Sequence, residues 1–369
     1  MNQLFRWDQM GLFLLALAAG ILPFAMPEVC AAALREGLTL CSGPLLLSLF
    51  PFLVVSRLLI QCPESDLLAL PFRLAAWGIG IRTPCAARVL CIGFLGGFAP
   101  AASAAAQAVR TGQLTAEEAD ALLPACICSG PSFVVLTVGQ SLLGSAELGV
   151  LLFASQITAN YLTAALLNRF AGVRSVKPGS AAPASPAPPR LDEILADAAI
   201  TYCKLCGFIL FFRMLAAGAG ALLPAGAGTL CAILLEVCSG CDLASRTGRW
   251  GSLLCCAALS VQGLSVLLQV RTICPPEMTL RPLYRARMLH LPLSLALFYL
   301  LLPGGETDVF STLSARVLLM RRVPPDCALL VFAVCCMAAC TLRSGIRQVE
   351  QKQMARNAGG CCINSKTLL

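Results

Sequence analysis

Apolar residues gather along this chain into long blocks separated by short polar or Pro/Gly-rich joints, and several blocks approach the roughly 20 residues that carry a helix across a bilayer. By that measure membrane segments are expected near 11–27, 41–61, 84–110, 121–144, 147–170, 197–223, 251–271, 288–303 and 326–342. Shorter apolar pieces at 66–81 and 226–241 read as half-spans or interfacial helices. The pattern predicts an all-α polytopic membrane protein with about nine to eleven membrane segments. Residues 10–25 follow Arg6 without a small-x-small cleavage site, so they read as an uncleaved first segment. TAEEADALL at 115–123 reads as a short surface helix capped by Thr115, with Glu117 and Glu118 in its first turn.

One stretch breaks the apolar pattern. Residues 171–190 (AGVRSVKPGSAAPASPAPPR) form a Pro/Ala-rich linker that divides the chain into a first membrane half, 1–170, and a second, 191–342. A basic tail, 343–369, follows and is expected on the cytoplasmic side.

Composition strengthens the membrane reading. Hydrophobic residues make up 58% of the chain and charged residues 12%, too few to coat a soluble core. The net charge of +8 arises from loop cations flanking apolar segments, with no basic run interleaved with aromatics, so no nucleic-acid partner is expected. The 21 cysteines lie largely inside apolar blocks, where Cys serves as a small hydrophobe. Cys203-x-x-Cys206 and Cys238-x-x-Cys241 have zinc-like spacing, but they lack the polar loop of a zinc knuckle. With no P-loop, G-x-S-x-G, H-E-x-x-H or dinucleotide fingerprint, and with a single histidine, His290, placed in a basic loop, neither a catalytic site nor a cofactor is expected.

The two halves share an order of motifs. LSLFPF at 47–52, GGFAPAAS at 96–103 and GPSFVV at 130–135 are matched by GFILFF at 207–212, GCDLAS at 240–245 and GLSVLL at 263–268. Transporters are commonly built from two such repeats, with broken helices that meet near the bilayer midplane. Gly96, Gly97 and Pro100, and then Ser129, Gly130, Pro131 and Ser132, interrupt two apolar segments of the first half. Such interruptions free backbone polar groups that must line protein or a water-filled cavity, although Gly and Pro also produce simple kinks in membrane helices. The second half supplies polar companions: Glu236 and Gly240, then Gln262, Gly263 and Ser265, with Arg213 inside the 197–223 segment. These residues are expected to converge on one midplane substrate cavity, with Arg213 and Glu236 as resting-state partners; a purely structural Arg213–Glu236 pair is the other reading.

Charge counting adds a topological expectation. The linker and the 271–290 loop both carry cations that favour the cytoplasmic side, yet three apolar segments separate them. At least one of the three should not cross; 226–241 and 251–271, both interrupted by Gly and polar residues, are the candidates for a re-entrant hairpin, and Gln262-Gly263 at the centre of 251–271 favours that segment.

Taken together, SGPLLLSLFPFLVVSRLL, GGFAPAASAAAQAVRTGQLTAEEADALL, SGPSFVVLTVG and GLSVLLQV…LYRARMLHLPLS resemble, in order, the sporulation integral membrane protein YlbJ family, which carries the nucleoside-recognition Gate domain. The likeness runs from about residue 12 to 303. The chain departs from the family at Gly97-Phe98-Ala99-Pro100-Ala101, where Gly-Tyr-Pro followed by Gly-Ala is usual, and at Cys126-Ile127-Cys128-Ser129, where asparagines are usual. The resemblance implies a protein of the outer forespore membrane that moves the small anion dipicolinate. A nucleoside or nucleobase carrier, and a non-transporting scaffold that joins other sporulation membrane proteins, are the alternatives.

Overall fold

A computed structural model describes residues 2–61, 66–171 and 191–302. The linker beyond Ala171, the 326–342 segment and the 343–369 tail lie outside the described residues. Every regular element among the described residues is helical, and the chain is an all-α polytopic membrane protein.

In chain order the α-helices are α1 (Asn2–Ala25), α2 (Pro27–Leu40), α3 (Leu46–Gln61), α4 (Leu70–Gly78), α5 (Pro84–Gly96), α6 (Phe98–Arg110) and α7 (Ala116–Cys126). They continue with α8 (Ala146–Ala171), α9 (Leu191–Leu222), α10 (Ala225–Leu235), α11 (Val237–Ser245), α12 (Gly251–Val261), α13 (Gly263–Ile273) and α14 (Arg281–Leu301). Two π-helical stretches, Cys41–Leu45 and Ser132–Leu142, complete the apolar blocks ahead of α3 and after α7.

Three helices among the described residues are long and apolar enough to cross a membrane: Ala146–Ala171, Leu191–Leu222 and Gly248–Ile273. The expected membrane segments accordingly include blocks that are bent, broken or folded back beside these three. The first block turns by 109° between Leu15–Ala25 and Pro27–Gly43, at Met26 before a proline that cannot donate to the preceding turn.

Block 84–110, expected as a span, is a hairpin. Arg88 at the start of α5 and Gln113 just beyond α6 both donate to the Ile60 carbonyl, at 2.8 and 3.3 Å, so the chain returns to the level it left. A Cβ on Gly93 would lie 3.2 Å from Ala101 Cβ across the fold. Block 226–241 is a second hairpin: a Cβ on Gly240 in α11 would stand 2.8 Å from Ile233 Cα in α10, and Gly228 and Leu243 both pack on Gly220 at the end of α9. The hairpin expected at 251–271 is corrected to a crossing, since Gly248–Ile273 runs on through Gln262 as one span. Of the two candidate segments, 226–241 folds back and 251–271 runs on, so a polar residue at the centre of a segment marks a helix break and does not by itself reverse the chain.

The two hairpins enter from opposite ends. The end that holds Ile60 and the mouth of α5–α6 also holds the Asn168 amide on the Ile79 and Ala121 carbonyls, Asp120 on the Thr279 and Leu280 amides, and Arg57 on Asp197. The ends of α8 and α13 and the starts of α7, α9 and α14 therefore share this linker-side end. The mouth of α10–α11 lies at the opposite end, where α9 finishes. The described residues thus repeat one series in opposite directions: α3, hairpin α5–α6, broken crossing α7 to Leu142, α8; then α9, hairpin α10–α11, broken crossing α12–α13, α14.

Small residues make this interleaving possible, because in lipid close backbone approach replaces the hydrophobic drive. A Cβ on Gly139 would meet Gly149 Cα at 2.4 Å, and α6 buries alanine after alanine, including Ala99, Ala102 and Ala105. Large apolar side chains such as Leu74, Phe170 and Leu300 point outward, as a lipid-facing surface requires.

Candidate functional site

Four helix breaks meet in the middle of the bundle. The first hairpin turns at Gly97, whose φ of +83° and ψ of −162° belong to glycine, and whose missing Cβ would sit 2.6 Å from Gly130 N. Gly130 lies in the non-helical stretch between Cys126 and Ser132, so the first tip rests directly on the break in the first crossing. Pro100 packs over Gly96 from the first turn of α6, and Pro131 precedes the π-helical stretch.

The second half repeats this contact with different residues. Glu236 (φ −152°, ψ 127°) forms the tip of α10–α11 and caps α11, its carboxylate accepting from the Cys238 and Ser239 amides at 2.8 and 2.7 Å. The break in the second crossing is Gln262, at φ +65°, followed by Gly263, at φ +70°, where a Cβ would lie 2.9 Å from Glu236 N. Gln262 Nε2 then reaches Ser129 Oγ at 3.3 Å and joins the breaks of the two crossings.

Between these elements lies a cavity of about 40 Å³, room for one or two waters. Of the sequence-predicted site residues, Gly96, Ser129, Gly130, Ser132 and Glu236 line it. Gly97, Gln262 and Gly263 form the crossing around it, and Ser265 is buried beside it, accepting from Gln269 Nε2 at 2.9 Å. Two expectations are corrected. Gly240 lies one turn beyond the tip and serves the packing of α11 on α10. Arg213 pairs with Glu36 of α2 at 2.7 Å, not with Glu236, whose oxygens are taken up by the α11 amides.

Arg213 lies in a second cavity, of about 570 Å³, at the end away from the linker; Glu36, Ser239, Asp242 and Arg246 also line it. A third, of about 170 Å³, opens at the linker-side end among Arg57, Arg110, Lys204 and Asp197, with the hydroxyls of Ser103 and Thr201. All three touch α9, at Thr201 and Lys204, then Ile209, then Arg213 and Ala217, so they follow one another over about 24 Å of helix. Each outer cavity carries an ion pair, Arg57–Asp197 at 2.6 Å and Arg213–Glu36 at 2.7 Å.

Electrostatics at the centre come from helix ends. Three N-termini, those of α6, of Ser132–Leu142 and of α11, abut the cavity through Phe98, Ser132 and Val237, while no basic side chain lines it among the described residues. Helix N-termini carry partial positive charge and favour anions; Glu236 already occupies one of them.

The opposite ends of the broken helices are held by a residue that the sequence reading put in a loop. Arg287 lies within α14, buried, and donates to the Ile127 carbonyl at the end of α7 and to the Ser260 carbonyl in the last turn of α12, at 3.3 Å. One guanidinium thereby neutralises two helix C-termini. The signal was present: Leu283, Arg287, His290, Ser294 and Phe298 recur at three- and four-residue spacing, and all are buried. Gln269, which lines the central cavity, stands four residues after Ser265, on the same helical face. The capped helix at 115–123 is also revised. The Thr115–Glu118 capping box is present, but α7 is buried and leads into the broken crossing.

No family model, curated protein or solved structure matches this chain.

Proposed function

We propose that the chain is a secondary transporter that passes a small carboxylate-bearing solute across the membrane through the crossing of its four helix breaks. The observation that carries this reading is the pair of hairpins entering from opposite ends and meeting tip to break, at Gly97–Gly130 and Gly263–Glu236. Two oppositely directed copies around a shared centre provide the two equivalent states that alternating access needs. The helix N-termini around the central cavity favour an anion, and Glu236 on the α11 amides holds the place that a substrate carboxylate takes on the others. At about 40 Å³ the centre is closed over in this arrangement, so the solute first occupies an outer cavity.

The resemblance to the YlbJ family names the candidate: dipicolinate, moved across the outer forespore membrane during sporulation. A nucleoside or nucleobase is the second reading, favoured by Phe98 and Phe133 beside Gln269 in the cavity wall. Uptake into proteoliposomes decides between them. Labelled pyridine-2,6-dicarboxylate should accumulate and be competed by its unlabelled form but not by uridine. Accumulation of uridine alone would replace the first reading with the second. No uptake of either solute, by protein that remains folded, would leave the scaffold reading.

A further inference from the structure

We infer that the cavity at the linker-side end binds a phosphate group, either as a free ion or on the headgroup of an anionic phospholipid. The site does not depend on the transport reading above.

Charge is the first observation. Arg57, Arg110 and Lys204 share the wall of this cavity with Asp197, an excess of two cations, whereas the cavity at the other end balances Arg213 and Arg246 against Glu36 and Asp242. The C-termini of α6 and α13 lie at the same end and set about half a negative charge each against that excess, so a positive balance remains. Neither Arg110 nor Lys204 forms an ion pair among the described residues. Both are exposed, so an incoming anion can reach them.

The Arg57–Asp197 pair leaves that balance standing. Its guanidinium side chain is 13% exposed and its carboxylate 61%, so water screens the anion more than the cation. Arg57 also keeps a donor in reserve. Nη1 goes to Asp197 and Nη2 to Thr201 Oγ1 at 3.4 Å, but Nε is buried without a partner. Buried N–H groups are nearly always satisfied, and an orphan in a cationic wall calls for an acceptor from outside the chain. Ser103, 4% exposed on the α6 wall, adds a hydroxyl, whereas the Thr201 hydrogen is already spent on the Asp197 carbonyl.

Shape and size then select the ligand. The donors come from three helices, α3 at Arg57, α6 at Ser103 and Arg110, and α9 at Lys204, so they approach from different sides. A tetrahedral phosphate directs an oxygen to each side, whereas a carboxylate offers two oxygens in one plane. About 170 Å³ holds a phosphate group with some of its water, and lies below the roughly 300–1,000 Å³ of pockets that enclose organic ligands. The cavity of about 570 Å³ at the other end falls inside that range and is left to the solute. Position agrees as well: the linker cations favour the cytoplasmic side for this end, where basic pockets between membrane helices hold lipid headgroups.

Two measurements on the purified full-length protein test the site. Equilibrium binding of ³²P-labelled inorganic phosphate in neutral detergent, at constant ionic strength in chloride, reads the free ion. Native mass spectrometry of protein released from nanodiscs of mixed phosphatidylglycerol and phosphatidylcholine reads the headgroup. A free-ion site should bind phosphate saturably, with sulfate as a competitor and pyridine-2,6-dicarboxylate at least about tenfold weaker. A headgroup site should retain phosphatidylglycerol selectively and bind no free phosphate. In whichever arm responds, Arg110→Gln/Lys204→Gln should weaken binding at least about tenfold and Ser103→Ala about threefold. Arg249→Gln, an exposed cation at the other end, should leave it unchanged. Thermal unfolding of each variant separates lost binding from lost fold. No response in either arm, an equal loss in Arg249→Gln, wild-type binding in the double variant, or tighter binding of the dicarboxylate than of phosphate would overturn the site. None of these measurements involves uptake, so the phosphate site and the transporter can fail separately.

Discussion

Gly97→Ala tests the crossing at its tightest point. At φ +83° and ψ −162° the backbone occupies a region that only glycine enters freely, and an alanine held there costs about 1–3 kcal/mol. The added methyl would then stand 2.6 Å from Gly130 N and 2.9 Å from Gly130 Cα. Both are backbone atoms in a closed interior, so neither can swing aside, and overpacking of this kind costs about another 1–3 kcal/mol. The sum is about 2–6 kcal/mol, a large share of a typical domain's stability. Gly112 gives the control: its φ is +69°, but nothing lies within 4 Å of its absent Cβ, so Gly112→Ala carries backbone strain alone, about 1–2 kcal/mol. The measurement is equilibrium unfolding of both variants by denaturing detergent in mixed micelles, with solute uptake recorded in parallel. Gly97→Ala should be the less stable of the two by about 1–3 kcal/mol, the size of the contact component. Equal destabilisation would mean that the hairpin tip does not press on the Gly130 break, and the tip-to-break geometry would fall with it.

Gly263→Ala should behave as Gly97→Ala does, because its methyl would meet Glu236 N at 2.9 Å and Leu235 C at 3.0 Å; stability equal to wild type in the same titration would count against the second tip contact. Arg287→Met should lower stability by about 2–4 kcal/mol, since two buried helix-end carbonyls lose their donor, and a melt unchanged from wild type would show that they find others. Glu36→Gln and Arg213→Gln should impair uptake alike, and the exchanged pair Glu36→Arg/Arg213→Glu should recover part of it; recovery absent from a folded double variant would mean that Arg213 acts through something other than Glu36. Single cysteines placed at Gly80 and Gly112, on a background cleared of reactive cysteines, should both label from the linker-side face, whereas one at Thr247 should label from the other; opposite faces for the first two would turn 84–110 back into a span.

The membrane class was legible because composition and block length report directly on what must be hidden from water. Breaks were legible too: Gly96-Gly97, Gly130-Pro131 and Gln262-Gly263 all fall where helices end, since Gly and Pro act locally on the backbone. The direction in which the chain leaves a break was not legible. Gly97 reverses it and Gln262 passes it on, although both residues have positive φ, because the difference lies in what packs behind each break. Pairing failed for a similar reason. Arg213 and Glu236 were matched by charge and depth, but a carboxylate at a helix start finds two amides within its own next turn, and Arg213 finds Glu36 on a helix far away in sequence. The repeat was read in the right order, yet GCDLAS was matched to the first hairpin tip although it follows Glu236 by one turn, since small residues recur in both arms.

The first hairpin has a consequence for how the chain is made. Residues 84–110 are apolar and long enough to be threaded through a bilayer as they leave the ribosome, yet both of their ends finish on one face. Their flanks carry the means of retention: Arg82 and Arg88 ahead of the turn and Arg110 after it, all cations that resist translocation. Gly97 and Pro100 shorten the longest unbroken helix to thirteen residues in either arm, below the length that a translocon releases into lipid as a full span. The segment is therefore expected to seat after α3 and α7, when the Ile60 carbonyl at 2.8 Å and the Asp66 carboxylate at 3.2 Å are there to receive Arg88. Assembly of this half is ordered in time, with the piece that forms half of the central crossing seated after the helices that surround it.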